Sequence, residues 1–147
     1  TLVISAFNEE GIIRKKLENS LKLDYPKDKL AIWVISDASS DKTDQLVQTV
    51  NDQRVRLLRL KERKGKTFGI NALMQKIKSD LVVFSDANSI YEQDAVAELV
   101  KYFADPQVGY VVGQAKYYKQ GQSKAGEHES TYWSFEIKLK INESRLG

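Results

Sequence analysis

The sequence predicts an α/β domain in which a mostly parallel sheet is covered by helices on both faces. Short apolar stretches of strand length alternate along the chain with segments of helical periodicity, which is the pattern of repeated β-α units. The apolar stretches are continuous, as expected of strands that are buried on both faces. With 147 residues and 41% hydrophobic content, the chain is expected to form a single domain, residues 1–147, with its own core.

The elements follow in a regular order. Strands are predicted at residues 2–5, 30–36, 55–60, 81–85 and 108–112. The apolar residues that mark the intervening helices are Ile13, Leu17 and Leu21; Leu46, Val47 and Val50; Ile70, Leu73, Met74 and Ile77; and Val96, Leu99, Val100 and Phe103. Residues 39–41 offer side chains that can cap the second of these helices. A last helix is expected around Trp133, Ile137 and Ile141.

Composition and charge exclude several classes of protein. Lysine and arginine number 23 against 20 aspartates and glutamates, a net charge of +3, so no dedicated nucleic-acid binder is predicted. Cysteine is absent, which excludes disulfides and thiolate-metal sites. No apolar run approaches the roughly 18 to 20 residues that cross a bilayer, so we expect a soluble fragment. Because strand and helix patterns run to both ends, we expect a piece of a longer protein, truncated at the C-terminus.

Polar residues gather where the predicted strands end. Residues 6–10, 37–41, 63–67 and 86–88 follow four of the strands and supply carboxylates, a glycine between lysines and an Asp-x-Asn pair. In open α/β sheets, ligands bind beyond the carboxyl ends of the strands, near helix N-termini. This rim is therefore predicted to bind a polyanion together with a hard divalent cation.

Asp86 and Asn88 are the candidate metal ligands. Both offer hard oxygen atoms on a turn after a buried strand, and Mg²⁺ or Mn²⁺ commonly takes one or two protein oxygens, with water and substrate phosphate completing its coordination. The alternative is that Asp86 caps the following helix, predicted over residues 92–103, while Asn88 forms an Asx turn.

Asp37 and the segment 64–66 are the candidate nucleotide ligands. Asp37 stands at the tip of a buried strand, where its carboxylate could accept hydrogen bonds from a nucleobase or ribose. Helix capping is the alternative, although Ser40 and Asp41 are better placed for it. Gly65 permits close approach of the backbone, and its flanking lysines suit phosphate. The same charge run could also be a solvated loop.

Several motifs together resemble a known family. They are residues 5–10 (SAFNEE), 23–26 (LDYP), 36–43 (SDASSDKT), 64–66 (KGK) with 71–73 (NAL), and 86–88 (DAN). Their order and spacing, continued to residues 129–136 and 143–147, resemble the inverting, processive-type glycosyltransferases of family 2 over nearly the whole chain.

The resemblance implies the nucleotide-sugar-binding part of a GT-A domain. It places Asp37 on the base or ribose and Lys66 near the nucleotide. Asp86 and Asn88 fall at the DXD metal motif, although Asn88 keeps an oxygen ligand while removing one charge. The implied nucleotide-sugar ligands are Ala6, Asn8, Glu9, Asp37, Lys66 and Asp86, and the implied metal ligands are Asp86 and Asn88, with Mg²⁺ or Mn²⁺ as cofactor.

The implied partners are a nucleotide-diphosphate sugar, a UDP-sugar before others, and a carbohydrate or lipid-linked acceptor. The family's acidic motif that supplies the base, and its Gln-x-x-Arg-Trp motif, have no counterpart up to Gly147. We therefore expect the 147-residue chain to bind the donor without transferring sugar. The resemblance also implies a parent protein at the cytoplasmic face of the cell membrane, anchored by segments outside this chain.

Three functions compete at this point. The first is a glycosyltransferase that uses a divalent cation to stabilise the leaving diphosphate. The second is a non-catalytic module that binds nucleotide-sugars. The third, a sugar nucleotidylyltransferase, would require a glycine-rich loop after the first strand, where this chain has residues 6–10, AFNEE.

Overall fold

Four parallel strands form one sheet in the computed structural model, which describes residues 1–114. The strands are β1 (Leu2–Ala6), β2 (Ile32–Ser36), β3 (Val55–Arg59) and β4 (Val83–Asp86). Their order in the sheet is β3-β2-β1-β4. The chain therefore builds the sheet outward from β1 in one direction and then returns to the other side of β1. This reversal is the position at which open α/β sheets bind ligands.

Helices cover both faces of the sheet, as predicted, and the first three of them connect consecutive strands. They are α1 (Ile13–Leu21), α2 (Thr43–Gln48), α3 (Lys66–Met74) and α4 (Ala95–Lys101), with short 3₁₀ turns at Lys27–Lys29 and Tyr102–Ala104. Parallel strands require such crossover connections because the chain must return to the same end of the sheet before each strand.

The two faces of the sheet carry two separate apolar clusters. Side chains alternate between faces along a strand, so Leu2 and Ile4 of β1 lie on one face and Val3 on the other. The first face is the larger and packs against α1, α2 and α4 through Ile13, Leu17, Val47 and Val96. The second face packs against α3 through Leu73. Leu2, Val3 and Ile4 are all at most 1% exposed, which explains the continuous apolar run in the sequence.

Gly69 allows α3 to approach the sheet closely. A methyl group at this position would lie 2.6 Å from Cγ2 of Ile35, a buried residue of β2. The absence of a side chain at Gly69 thus sets the distance between α3 and the sheet.

Two predictions about the elements are wrong. Residues 108–112 form no strand; Tyr110 is 80% exposed and Val112 is 56% exposed, and no neighbouring strand among residues 1–114 pairs with them. Met74, predicted on the buried face of its helix, is 42% exposed because α3 ends at this residue and Leu73 fills the contact with the sheet. The helix predicted around Trp133, Ile137 and Ile141 lies outside the described residues.

Thr1–Val111 form one compact unit. The prediction of a single domain over residues 1–147 includes residues outside the part that the structure describes, and it stays a prediction. Across residues 1–114, none of the helices combines the length and the apolar character required to cross a membrane.

Candidate functional site

The register of the sheet brings the ends of three strands to one level. Ala6 of β1 is paired with Ser36 of β2, and Ser5 of β1 is paired with Asp86 of β4. A pocket of about 260 Å³ opens at this edge. It is lined by Ser5, Ala6, Phe7, Glu9, Ile35, Asp37, Gly65, Lys66, Asp86 and Asn88. The predicted site residues therefore lie together, with the exception of Asn8.

Asp37 is held at the floor of the pocket by the loop that precedes α3. Its two carboxylate oxygens accept hydrogen bonds from the backbone N–H groups of Lys64, at 2.8 Å, and Gly65, at 2.9 Å. Gly65 adopts φ 85°, a conformation that residues with a side chain rarely adopt. Asp37 is only 8% exposed, and each oxygen retains a second lone pair for a ligand. The carboxylate therefore shapes the loop and can still accept from a nucleoside.

Lys66 and Asp86 form an ion pair across the mouth of the pocket. The Nζ atom of Lys66 donates to Oδ1 of Asp86 at 2.5 Å, and the two side chains are 52% and 58% exposed. Lys66 begins α3, whose first N–H groups have no partner within the helix. The mouth thus carries an ammonium, a carboxylate and a helix N-terminus. If the ion pair opens, Lys66 can bind an external anion and Asp86 can bind an external cation.

Asn88 is the second candidate metal ligand, beside Asp86. Its side chain makes no hydrogen bond within residues 1–114, and Asp86 does not cap the next helix, which starts at Ala95 without a side-chain cap. The alternative reading of these residues as a helix cap and an Asx turn is therefore not supported by the structure. No cluster of three or more His, Cys, Asp or Glu suited to a metal occurs in the part described. One carboxylate and one amide oxygen fit a Mg²⁺ or Mn²⁺ ion that takes its remaining ligands from phosphate and water.

The loops after β1 and β2 are joined by hydrogen bonds that run in both directions. The Oδ1 atom of Asn8 accepts from the N–H of Ser40 at 2.8 Å, and the N–H of Glu9 donates to Oγ1 of Thr43 at 2.8 Å. Glu10 in turn accepts from the N–H of Lys42 at 2.9 Å. Asn8, predicted to bind the nucleotide-sugar, is thus engaged with the neighbouring loop, and its φ of 55° suits an asparagine.

Sequence reasoning missed two features of the site. Phe7 lines the pocket, and the guanidinium of Arg63 lies 3.9 Å from the centre of its ring, a cation–π contact. Lys16 is fully buried beneath the segment that follows Asp86. Its signal was available, because Ile13, Lys16, Leu17 and Ser20 are the buried residues of α1 and follow the i, i+3, i+4, i+7 spacing of a buried helix face.

The comparison with protein families gives a match over almost the whole chain. Residues 1–146 match the family described as Glycosyl transferase family 2. The beta-monoglucosyldiacylglycerol synthase of Synechocystis sp. is 30% identical over 112 residues, which are 74% of this chain and 23% of that protein. The poly-beta-1,6-N-acetyl-D-glucosamine synthase of Staphylococcus aureus is 31% identical over 118 residues, 79% of this chain and 28% of that protein. The chain spans about a quarter of the length of these relatives.

Solved structures resemble the fold. The mannosyltransferase PcManGT from Pyrobaculum calidifontis, solved with GDP-Man and Mn²⁺, superposes with a TM-score of 0.70 at 34% identity and covers 74% of this chain and 33% of that chain. TarS of S. aureus (residues 1–349), solved with UDP-GlcNAc, has a TM-score of 0.63 at 21% identity, covering 70% and 30%, and shows the fold alone. The family and fold predicted from the motifs are confirmed: the chain belongs to glycosyl transferase family 2 and has a sheet of the GT-A type.

Proposed function

We propose that this chain is the donor-binding part of a metal-assisted, inverting glycosyltransferase, which moves a sugar from a nucleotide diphosphate to an acceptor hydroxyl. The observation that carries the proposal is the pair of Lys66 and Asp86 at 2.5 Å, with Asn88 beside it, at the point where the strand order reverses. Membership of the family supports it. So does the related mannosyltransferase that was solved with a nucleotide-sugar and Mn²⁺.

The nucleoside is proposed to occupy the side of the pocket formed by β1 and β2. Asp37 accepts from the base or the ribose with the lone pairs that the loop leaves free. Ala6 and Glu9 line the same side. A UDP-sugar is the first candidate for the donor, and a GDP-sugar is the second, because the solved mannosyltransferase binds GDP-Man.

The diphosphate is proposed to occupy the side formed by α3 and β4. Lys66 donates to a phosphate oxygen, and the free N–H groups at the start of α3 favour the same negative charge. Asp86 and Asn88 would hold a Mg²⁺ or Mn²⁺ ion, which stabilises the charge on the leaving diphosphate when it is bound.

The ion pair links the two binding events. Without ligands, Lys66 neutralises Asp86, so a metal alone must displace an ammonium and a diphosphate alone must displace a carboxylate. When both ligands bind, the free-energy cost of separating Lys66 from Asp86 is incurred only once. We therefore expect metal and nucleoside diphosphate to bind with positive coupling, in the usual range of about 5- to 150-fold.

Inversion requires a base on the acceptor side. The base must take the proton of the attacking hydroxyl on the face of the sugar opposite the diphosphate. In the proposed arrangement Asp37 and Asp86 are both on the leaving-group side, so neither is assigned as the base. The proposed acceptor is a hydroxyl of a carbohydrate or of a lipid-linked molecule.

Calorimetry tests the proposal directly. The affinities of UDP and GDP are measured in Mn²⁺ and in excess chelator, for the wild type, for Asp86→Asn and for Asp80→Asn, a control that changes an exposed aspartate before β4. The wild type and the control should bind at least one nucleotide about 5-fold or more tightly in Mn²⁺, and Asp86→Asn should lose most of this gain. Equal affinity in Mn²⁺ and in chelator would refute the metal-assisted mechanism. Binding without turnover in a longer form of the protein, assayed with acceptors, would favour a non-catalytic module.

A further inference from the structure

Lys16 is a charged side chain in the interior of the domain. It lies on the buried face of α1 and is 0% exposed. Its ammonium donates to the backbone carbonyl of Ser89 and lies 3.9 Å from the centre of the Tyr91 ring. Lysine is almost never fully buried unless it is paired, because removing an ammonium from water is costly. No carboxylate in residues 1–114 forms a salt bridge with it.

Asn19, one helical turn after Lys16, holds the same segment. Its side-chain N–H donates to the carbonyl of Tyr91 at 2.8 Å, and its Oδ1 accepts from the N–H of Tyr91 at 2.9 Å. Both backbone groups of Tyr91 are thus satisfied by one side chain, as a neighbouring strand would satisfy them. The hydroxyl of Tyr91 donates in addition to the carbonyl of Phe84 in β4, at 3.2 Å.

The segment that these contacts hold has little structure of its own. Between Asp86 and Tyr91, one backbone bond outside the strand pairing joins the N–H of Ser89 to the carbonyl of Asp86, at 3.2 Å. The two proposed metal ligands, Asp86 and Asn88, belong to this turn. Asp86 itself is held by the pairing of β4 with β1. The residues after it are held by the contacts that α1 makes with Ser89 and Tyr91 and, further along, by the N–H of Asp24, which donates to the carbonyl of Gln93 at 2.7 Å.

Stability does not explain a lysine at this position. Burial lowers the pKa of Lys16 to about 8, although the negative charge of Asp86 acts in the opposite direction. A methionine would fill a similar volume without this cost. What lysine supplies and methionine lacks is a long, charged donor that reaches the carbonyl of Ser89.

We propose that Lys16 and Asn19 are positioning residues that fix the turn of Asp86 and Asn88 from beneath, so that its oxygen ligands are in place before metal and diphosphate arrive. Oxygen ligands on a loop must be supported by a second layer of contacts if they are to hold a metal in a defined geometry. The metal part of this inference rests on the proposed function, whereas the fixing of the turn does not.

Hydrogen exchange and calorimetry on three variants of the 147-residue chain test the proposal. Lys16→Met removes the ammonium, and Asn19→Ala removes the bonds to Tyr91. Lys15→Met is the matched control, because Lys15 is the exposed neighbour on the same helix. Loss of the contacts from α1 should raise the exchange of the backbone amide of Ser89, whose bond to Asp86 closes the turn, by about 10-fold or more. The control should leave this exchange unchanged.

Calorimetry shows whether the turn serves the metal. Lys16→Met should reduce the gain in affinity for UDP or GDP that Mn²⁺ provides by about 5-fold or more, while affinity in chelator changes by less than about 2-fold. A merely structural residue would weaken both affinities together and lower the melting temperature. If Lys16→Met does not fold, Asn19→Ala carries the same measurements.

The outcomes separate the two proposals. Unchanged exchange of the Ser89 amide in both variants overturns the positioning role, whatever the metal does. Raised exchange in the variants, with a wild type that shows no response to Mn²⁺, supports the fixed turn and refutes the metal-assisted function instead. If exchange is raised but Mn²⁺ still increases nucleotide affinity as much as in the wild type, the turn need not be fixed for metal binding. This result overturns the inference.

Discussion

Replacement of Lys66 by alanine tests which ligand group lies at the mouth of the pocket. In the ligand-free protein, the ammonium of Lys66 is bound to Asp86, and both side chains are about half exposed. Ion pairs with this exposure contribute about 0.2 to 1 kcal/mol. A hydrogen bond from an ammonium to a phosphate contributes about 1.5 to 3 kcal/mol. The difference between these two energies is the net contribution of Lys66 to the binding free energy of a diphosphate.

Lys66→Ala should therefore weaken the binding of a nucleoside diphosphate by about 0.5 to 2.8 kcal/mol, a factor of about 2 to 100 in the dissociation constant. The loss of affinity should be greater in chelator than in Mn²⁺. Without Mn²⁺ and without the ammonium of Lys66, Asp86 repels the phosphates and no neighbouring cation offsets its charge. The parent nucleoside has no phosphate, and its affinity should change by less than about 2-fold.

Titration calorimetry with UDP, GDP, uridine and guanosine measures these differences. Lys64→Ala provides the matched control, since Lys64 pairs with Glu62 at 2.9 Å and does not line the pocket. The reasoning is refuted if Lys66→Ala weakens nucleoside and diphosphate equally, or if Lys64→Ala weakens the diphosphate as strongly as Lys66→Ala does.

Three further changes have defined outcomes. Asp37→Ala should weaken UDP or GDP binding by about 1 to 3 kcal/mol in calorimetry; a variant with wild-type affinity would give Asp37 a purely structural role. Gly69→Ala should destabilise the fold by about 1 to 3 kcal/mol in urea unfolding, because its methyl group meets β2 at 2.6 Å, whereas Gly11→Ala meets no atom within 4 Å and should be tolerated. Hydrogen bonds from Arg54 lower the pKa of Asp52 from 3.8 to about 2, so this carboxylate stabilises the folded state above about pH 4 and loses that effect as the pH falls through 2. Asp52→Asn should thus cost about 1 kcal/mol at pH 6, after allowance for solvent screening, and almost nothing near pH 2; a difference that does not vary with pH would contradict this.

The strands and the location of the pocket could be predicted from the sequence for a topological reason. Continuous apolar runs such as residues 2–5 indicate strands buried on both faces. Once the strands are parallel, their carboxyl ends must lie at one edge of the sheet, and so Asp37 and Asp86 must lie at the same edge. The wrong strand at residues 108–112 shows the limit of this argument, because an apolar stretch becomes a strand only when a neighbour supplies hydrogen bonds.

The contacts within the site depend on details that the sequence pattern does not encode. Asp37 binds the loop before α3 because Gly65 takes a positive φ, and a glycine in the sequence does not state which conformation it adopts. The pair of Lys66 and Asp86 depends on β4 lying next to β1, which follows from the order of the strands in the sheet. The spacing of α1 marks Lys16 as a residue of its buried face, but the contact of Lys16 with Ser89 is not predicted, because a lysine on a helix normally faces water.

The bonds that join the loops after β1 and β2 also bear on the order of folding. They link residues that are 31 to 34 positions apart, such as Asn8 with Ser39 and Glu9 with Thr43. Contacts between distant residues form late, because the intervening chain must first be ordered. One wall of the pocket therefore exists only after β1 and β2 have paired. We expect affinity for a nucleotide to return in the slowest phase of refolding, so that a chain in which only the local helices have formed cannot retain a nucleotide.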